Sequence, residues 1–175
     1  MSTSNQIFPS GTNRIGTLTN LPNGATYDIL STIFNSGYPQ GQIEFGLGDT
    51  PRKITGIQKV AQTFMKILFT SLGSNVLYPD QGTNFQMMTI NANITVSDTV
   101  FMSDIAAEIA SAESQTMAAM NTVGSDPSSQ LQGISILGID TGNESVIIYL
   151  QLITVAGELA QVAVPFPQLD LPLNG

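Results

Sequence analysis

From Ile54 onward the apolar positions fall into a helical rhythm. Ile54, Ile57, Ala61, Phe64 and Leu68 recur at three- and four-residue steps, and Val60 and Ile67 widen the stripe. Lys53, Gln58, Lys59, Gln62 and Lys66 occupy the opposite side. With Thr50 as N-cap, Pro51 at the first helical position and Gly73 as a left-handed stop, the spacing predicts a helix over 51–72. A second stripe, Val100, Phe101, Ile105, Ile109 and Ala112, runs towards Met120. Ser97 or Asp98 caps it and Gly124 with Asp126-Pro127 closes it, which predicts a helix over 98–122. The period then changes to two. Leu131–Ile139, Ser145–Val155 and Leu159–Phe166 are separated by the short turn sequences "DTGN" and "AGE". Such spacing predicts a three-stranded antiparallel meander over 131–166.

In the middle strand Val146, Ile148, Leu150 and Leu152 share one face, and Ile147, Tyr149, Ile153 and Val155 share the other. Both faces are apolar, and two helices can cover only one of them. The third strand, "LAQVAVPF", carries no charge to guard its edge until Pro165 interrupts the ladder. Exposed edges are normally protected by lysine, bulges or proline, so a partner is expected to cover this sheet, by strand addition among other ways. Residues 1–48 have Pro and Gly every few positions and no sustained period, although "ATYDILSTIF" (25–34) is compatible with a short helix. The expected class is α+β. Two main helices pack on the meander, a largely irregular N-terminal arm (1–48) precedes the 49–166 domain, and an extended tail (167–175) follows.

Composition narrows the function. Asp, Glu, Lys and Arg make up 10% of the chain, against about 25% in an ordinary soluble domain. Uncharged polar surface costs less to desolvate than charged surface, which suits a protein that buries much of its exterior against partners. The net charge is −8; Arg52, Lys53, Lys59 and Lys66 cluster, Arg14 stands alone, and 67–175 holds no Lys or Arg. That is too little cation to neutralise a run of phosphates, so nucleic-acid binding is rejected. Without cysteine or histidine there is no disulfide framework, no thiolate nucleophile and no imidazole base. The N-terminus lacks the basic start and apolar stretch of a signal peptide. The apolar run Val146–Val155, interrupted by Gln151, is too short to span a membrane. A soluble, intracellular chain is expected, with no membrane partner.

Catalytic leads are few. "GIDTGNES" (138–145) contains the hydrophobic-Asp-Thr-Gly pattern of aspartic proteases, with Asp140 as half of a carboxylate pair. Its flanks read as two strands of one hairpin, so ordinary turn chemistry accounts for it. Asp104, Glu108 and Glu113 along the second helix invite comparison with a glycosidase acid pair, but such pairs need a defined separation across a cleft. "DTGNE" lacks the further acidic ligands of a calcium loop. The methionines suit adaptable packing rather than a cofactor box. No catalytic, cofactor-binding or metal-binding residue is assigned, and no cofactor is expected. A hydrolase, muralytic or acting through Asp140-Thr141-Gly142, is the alternative to a non-enzymatic assembly protein.

The stretch "KITGIQKVAQTFMKILFTSLGSNVLYPDQGTNF" (53–85) resembles the baseplate wedge proteins of contractile phage tails, the sheath-initiator family sometimes labelled lysozyme-like. The resemblance rests on Gly56 in the amphipathic helix and on the Thr70-Ser71-Leu72-Gly73 exit. It rests further on the loop Tyr78-Pro79-Asp80-Gln81-Gly82-Thr83, a capped helix beginning "VSDTVFMSDIAAEIA" (96–110), and a terminal meander. It covers roughly 49–166, about two-thirds of the chain. One departure stands out: where the family commonly has Glu-Pro-Arg, this chain has Glu113-Ser114-Gln115. Any contact that the family's arginine makes must be made differently here.

The resemblance implies a structural part. Such a protein packs with other wedge subunits around the tail tube or hub and offers its sheet to the first ring of tail sheath protein, which adds strands to it. Ile147, Tyr149, Ile153, Val162 and Val164 are then the expected sheath-docking positions. Ile54, Ile57, Phe64 and Leu68 on the first helix are expected to serve wedge packing. Tyr78, Pro79, Asp80 and Gly82 form a structural loop in which Asp80 is expected to bond backbone amides. The implied location is the virion's tail baseplate, with the host cytoplasm as the place of assembly.

Overall fold

The computed structural model describes residues 28–29, 32–35, 42–45, 53–91, 99–141 and 145–167. The fold is α+β. Short N-terminal strands β1 (Asp28–Ile29), β2 (Thr32–Asn35), β3 (Gln42–Phe45) and β4 (Lys53–Ile54) lead into helix α1 (Gly56–Phe69). Helices α2 (Phe85–Asn91) and α3 (Thr99–Met120), a 3-10 turn (Pro127–Ser129) and the meander β5 (Leu131–Thr141), β6 (Ser145–Thr154) and β7 (Leu159–Pro167) follow. β5-β6-β7 form one antiparallel sheet in sequence order, while β1 pairs with β4 and β2 with β3.

α1 is shorter than its hydrophobic stripe. Lys53 and Ile54 are extended and pair with Ile29 and Asp28, so the helix does not begin at 51. Gly56 explains the break: at φ +58 it turns the chain between strand and helix, a conformation that costs glycine little and other residues more. The expected cap at Thr50 and Pro51 lies outside the described residues. At the other end Thr70 is extended (φ −83, ψ 121) and stops the helix before Gly73. The last carbonyls still find donors: the Thr70 hydroxyl donates to Lys66 O at 2.6 Å and the Thr83 hydroxyl to Leu68 O at 2.7 Å.

α1 is the centre of the molecule. It packs against α3, α2, β6, β7 and the 3-10 turn, and no residue of it is classed as exposed. Ile57, Val60, Ala61, Phe64, Met65, Ile67 and Leu68 join Ile105, Ile109 and Ala112 of α3 and Leu150, Leu152, Val162 and Val164 of the sheet in one core. The stripe on α3 runs Ile105, Ile109, Ala112, Thr116 and Met120, all buried. α3 itself spans 99–120 rather than 98–122, and its expected caps Ser97 and Asp98 are not among the described residues.

The polar side of α1 is covered as well. Gln62 is only 1% exposed; its amide donates to Asp28 Oδ2 at 2.7 Å and to Ile29 O at 2.9 Å. Residues 28–29 are extended against β4, and 32–35 against β3, so the short helix expected over 25–34 does not form. What residues 28–29 required was a surface to pair with, and β4 and α1 supply it.

Burial acts to raise the Asp28 carboxyl, but the Ile29 amide, the Lys66 ammonium (3.4 Å away) and the Gln62 amide outweigh it and hold it below the ordinary 3.8. A depressed folded value means that the contribution of Asp28 is complete above the unfolded value and is lost as pH falls through the folded one. We therefore expect amide protection of 28–29 and 53–54 to decline below about pH 3.8, ahead of the meander. Asp28→Asn should remove that step in pH-resolved NMR hydrogen exchange. An identical acid profile for both regions would refute the clamp.

Candidate interaction surfaces

The loop after α1 is held shut at its base. Ser71 and Thr83 form a parallel bridge, with Leu72 N donating to Thr83 O at 3.0 Å and Thr83 N to Thr70 O at 2.8 Å. Inside it, Gly73 N donates to Pro79 O and Gln81 N to Tyr78 O, each at 3.0 Å. The side chain that organises the turn is Asn75, whose Oδ1 accepts from Leu77 N at 3.1 Å and Tyr78 N at 3.3 Å. Asp80 does not do this: it is exposed, and among the described residues its carboxylate accepts no hydrogen bond. The expectation that Asp80 bonds the loop amides is corrected, because Asn75 already takes them.

Gly82 is the tightest point. Its φ is +111, and a Cβ placed there would lie 2.4 Å from Thr70 O. Gln115 of α3 clasps it from the other side, accepting from Gly82 N and donating to Gly82 O, both at 2.8 Å. Glu113, two residues earlier, accepts from Ile134 N of β5 at 3.0 Å. The Glu113-Ser114-Gln115 segment thus ties α3 to the loop and to the sheet within one chain.

The tip of this braced loop is apolar and bare. Val76, Leu77 and Tyr78 are 91%, 82% and 66% exposed. Between the loop and α3 lies a shallow groove of about 530 Å³, walled by Tyr78, Pro79, Gln115, Ala118 and Ala119. Because the loop's base is already braced, burying these three consecutive large side chains would cost their own rotamer freedom but little backbone freedom, which favours a contact anchor.

The four residues assigned to wedge packing are spent elsewhere. Ile57, Phe64 and Leu68 lie in the core, and Ile54, on β4 rather than on the helix, is buried as well. None can reach a second subunit without unfolding this one. The most exposed large apolar side chains near this end, among the described residues, are those of the loop tip, with Leu72 and Met87 about half exposed.

The sheet has one covered face and one open face. Ile148, Leu150, Leu152, Ala160, Val162 and Val164 point towards the helices and are buried. Val162 and Val164, at 1% and 0% exposure, cannot present side chains to a docking partner; two-residue alternation puts them on the inner side. Ile147, Tyr149 and Ile153 lie on the outer face, half-buried or exposed. The register there crosses Ile153 with Leu159, Gln151 with Gln161, and Tyr149 with Ala163. Ser135 extends the glutamine row onto β5 and exposed Asp140 stands beside Ile147, so the outer face is apolar with one polar band across it and a carboxylate at the hairpin end.

The carboxylates considered for catalysis are dispersed, and two of them bond backbone amides. Glu108 accepts from Asn84 N at 2.9 Å, just before α2 begins. Glu113 holds β5, Asp104 is exposed, and Asp140 pairs with Ile147 inside the hairpin ladder. The tip of that hairpin lies outside the described residues. Among the described residues no cluster of acidic side chains could hold a metal ion, and no helix is long and apolar enough to cross a membrane.

Sequence patterning missed Gln62, Asn75, Gln115 and Asn121. The last brackets Leu131, accepting from its N at 2.9 Å and donating to its O at 2.8 Å. Compared with known proteins, the chain matches no family model, no curated protein and no solved structure.

Proposed function

We propose that this chain is a structural subunit of a contractile phage tail baseplate, an inner wedge protein without enzymatic activity. It packs with other wedge subunits around the tail tube and starts sheath assembly by accepting strands from the sheath protein on its C-terminal sheet. The observation that carries this reading is the one-sided burial of the meander, whose outer face keeps Ile147, Tyr149 and Ile153 for a partner. The resemblance of the 70–83 loop to the wedge family supports it, since the positive φ of Gly82 accounts physically for a glycine in that motif. Wedge packing falls to Val76, Leu77 and Tyr78 rather than to the buried stripe of α1. A hydrolase has no comparable support, because Glu108 and Glu113 are engaged with backbone amides.

Hydrogen exchange of the chain alone and with the sheath subunit of the same tail tests this. New protection is expected mainly in 131–167, and Tyr149→Asp should weaken binding without lowering Tm. Failure to bind sheath and wedge subunits alike would remove the proposal.

A further inference from the structure

The two edges of the meander are not equivalent, and the hydrogen-bond parity shows which one is open. Ile134 N points away from β6, because it donates to Glu113. Antiparallel residues alternate between facing their neighbour strand and facing away, so Leu152, the register partner of Ile134, turns its backbone towards β7. Thr154 agrees, its N donating to Glu158 O at 3.0 Å. Leu152 pairs with Ala160, which places the backbone groups of Ala160, Val162 and Val164 on β6. Those of Leu159, Gln161 and Ala163 therefore face away from the sheet. Pro165 and Pro167 fall in the same outward set, which is why a ring nitrogen is tolerated there.

β5 is capped at its start, where β7 is open. Asn121, just past α3, brackets Leu131 and Glu113 of α3 takes Ile134 N, while register shifts at Leu131/Gly133 and Ile136/Gly138 kink the strand. Among the described residues nothing bonds the outward groups of Leu159, Gln161 and Ala163, and β7 carries no charged residue.

We propose that the outer edge of β7 across 159–163 is the strand-acceptor site, and that its occupant is an uncharged extended segment flanked by Lys or Arg. The slot is bounded by Gly157 at one end and by the missing donors of Pro165 and Pro167 at the other, so it fixes a short length and a register. The basic flanks follow from charge: 67–175 holds no Lys or Arg on a chain of net charge −8. A second copy of β7 would bring the same unrelieved negative field to the contact. This deepens the reading of the sheet as a sheath dock, and it rests on that reading only for the identity of the chain that supplies the strand.

The test is NMR hydrogen exchange on the full chain, titrated with two short peptides of alternating threonine and valine, one with lysines at both ends and one with glutamates. The lysine-flanked peptide should protect the amides of Leu159, Gln161 and Ala163 and leave 131–141 unchanged. Ala163→Pro, which removes one outward donor, should weaken it about tenfold at unchanged Tm. Gln161→Pro serves as the second variant should the first unfold. Protection along β5, equal binding of the glutamate-flanked peptide, or a dimer of the free chain joined through β7 would each overturn the proposal. A parallel titration with the sheath subunit separates the two ideas. Protection of the same three amides supports both. Sheath bound elsewhere, with the lysine peptide still on β7, keeps the edge assignment and removes the sheath reading.

Discussion

Gly82→Ala should destabilise the isolated chain by about 3 kcal/mol or more. Two costs combine. A non-glycine residue held at φ +111 carries strain of order 1–3 kcal/mol. The new methyl would also meet Thr70 O at 2.4 Å, and that carbonyl cannot retreat freely because it accepts the Thr83 amide at 2.8 Å. Forcing extra volume into a packed site adds a further ~1–3 kcal/mol. Against a total stability of about 5–15 kcal/mol the loss is large. The midpoint of urea unfolding should fall clearly, and a change below about 1 kcal/mol would mean that the loop can be rebuilt around a side chain.

Phe64→Ala is expected to cost about 3–5 kcal/mol, the range for deleting a fully buried aromatic ring. Phe64 is 0% exposed at the centre of α1, facing a core to which α3 and the sheet both contribute. The experiment also separates two roles for the helix. A residue kept for subunit packing would leave the isolated chain as stable as before and weaken only its complexes. A core residue lowers the unfolding midpoint of the chain by itself. Unchanged urea unfolding would place Phe64 back on an interface.

The meander was legible because its signal is local. Period-two alternation, two short turns and β-rich composition predicted three strands whose observed limits differ by no more than two residues. α3 was legible for the same reason. α1 was legible in its stripe but not in its start, since nothing about the letter at Gly56 tells whether it sits in a helix or turns a corner. α2 and the two-residue strands β1 and β4 are too short to display a period.

The choice of sheet face had a signal that went unread. Both alternating sets of β6 are apolar, but in β7 Gln161 and the polar partner Gln151 mark the outer side, which assigns Val162 and Val164 to the inner one. The clasps were illegible for a deeper reason. Gln62 meets Asp28 across 34 residues, Gln115 meets Gly82 across 33, and Glu113 meets Ile134 across 21. A polar side chain in a helical pattern does not announce a partner that far away. Only burial of the pair distinguishes it from a solvated one.

The clasp of Asn121 and Glu113 on β5 bears on how misassembly would end. Fibre growth by edge-to-edge pairing requires every monomer to offer two open edges, one to receive and one to relay. A meander whose β5 edge is capped at Leu131 and Ile134 and kinked beyond them relays poorly what β7 receives, which favours short assemblies over long ones. The capped start of β5 thereby limits how far the open edge of β7 could seed polymerisation.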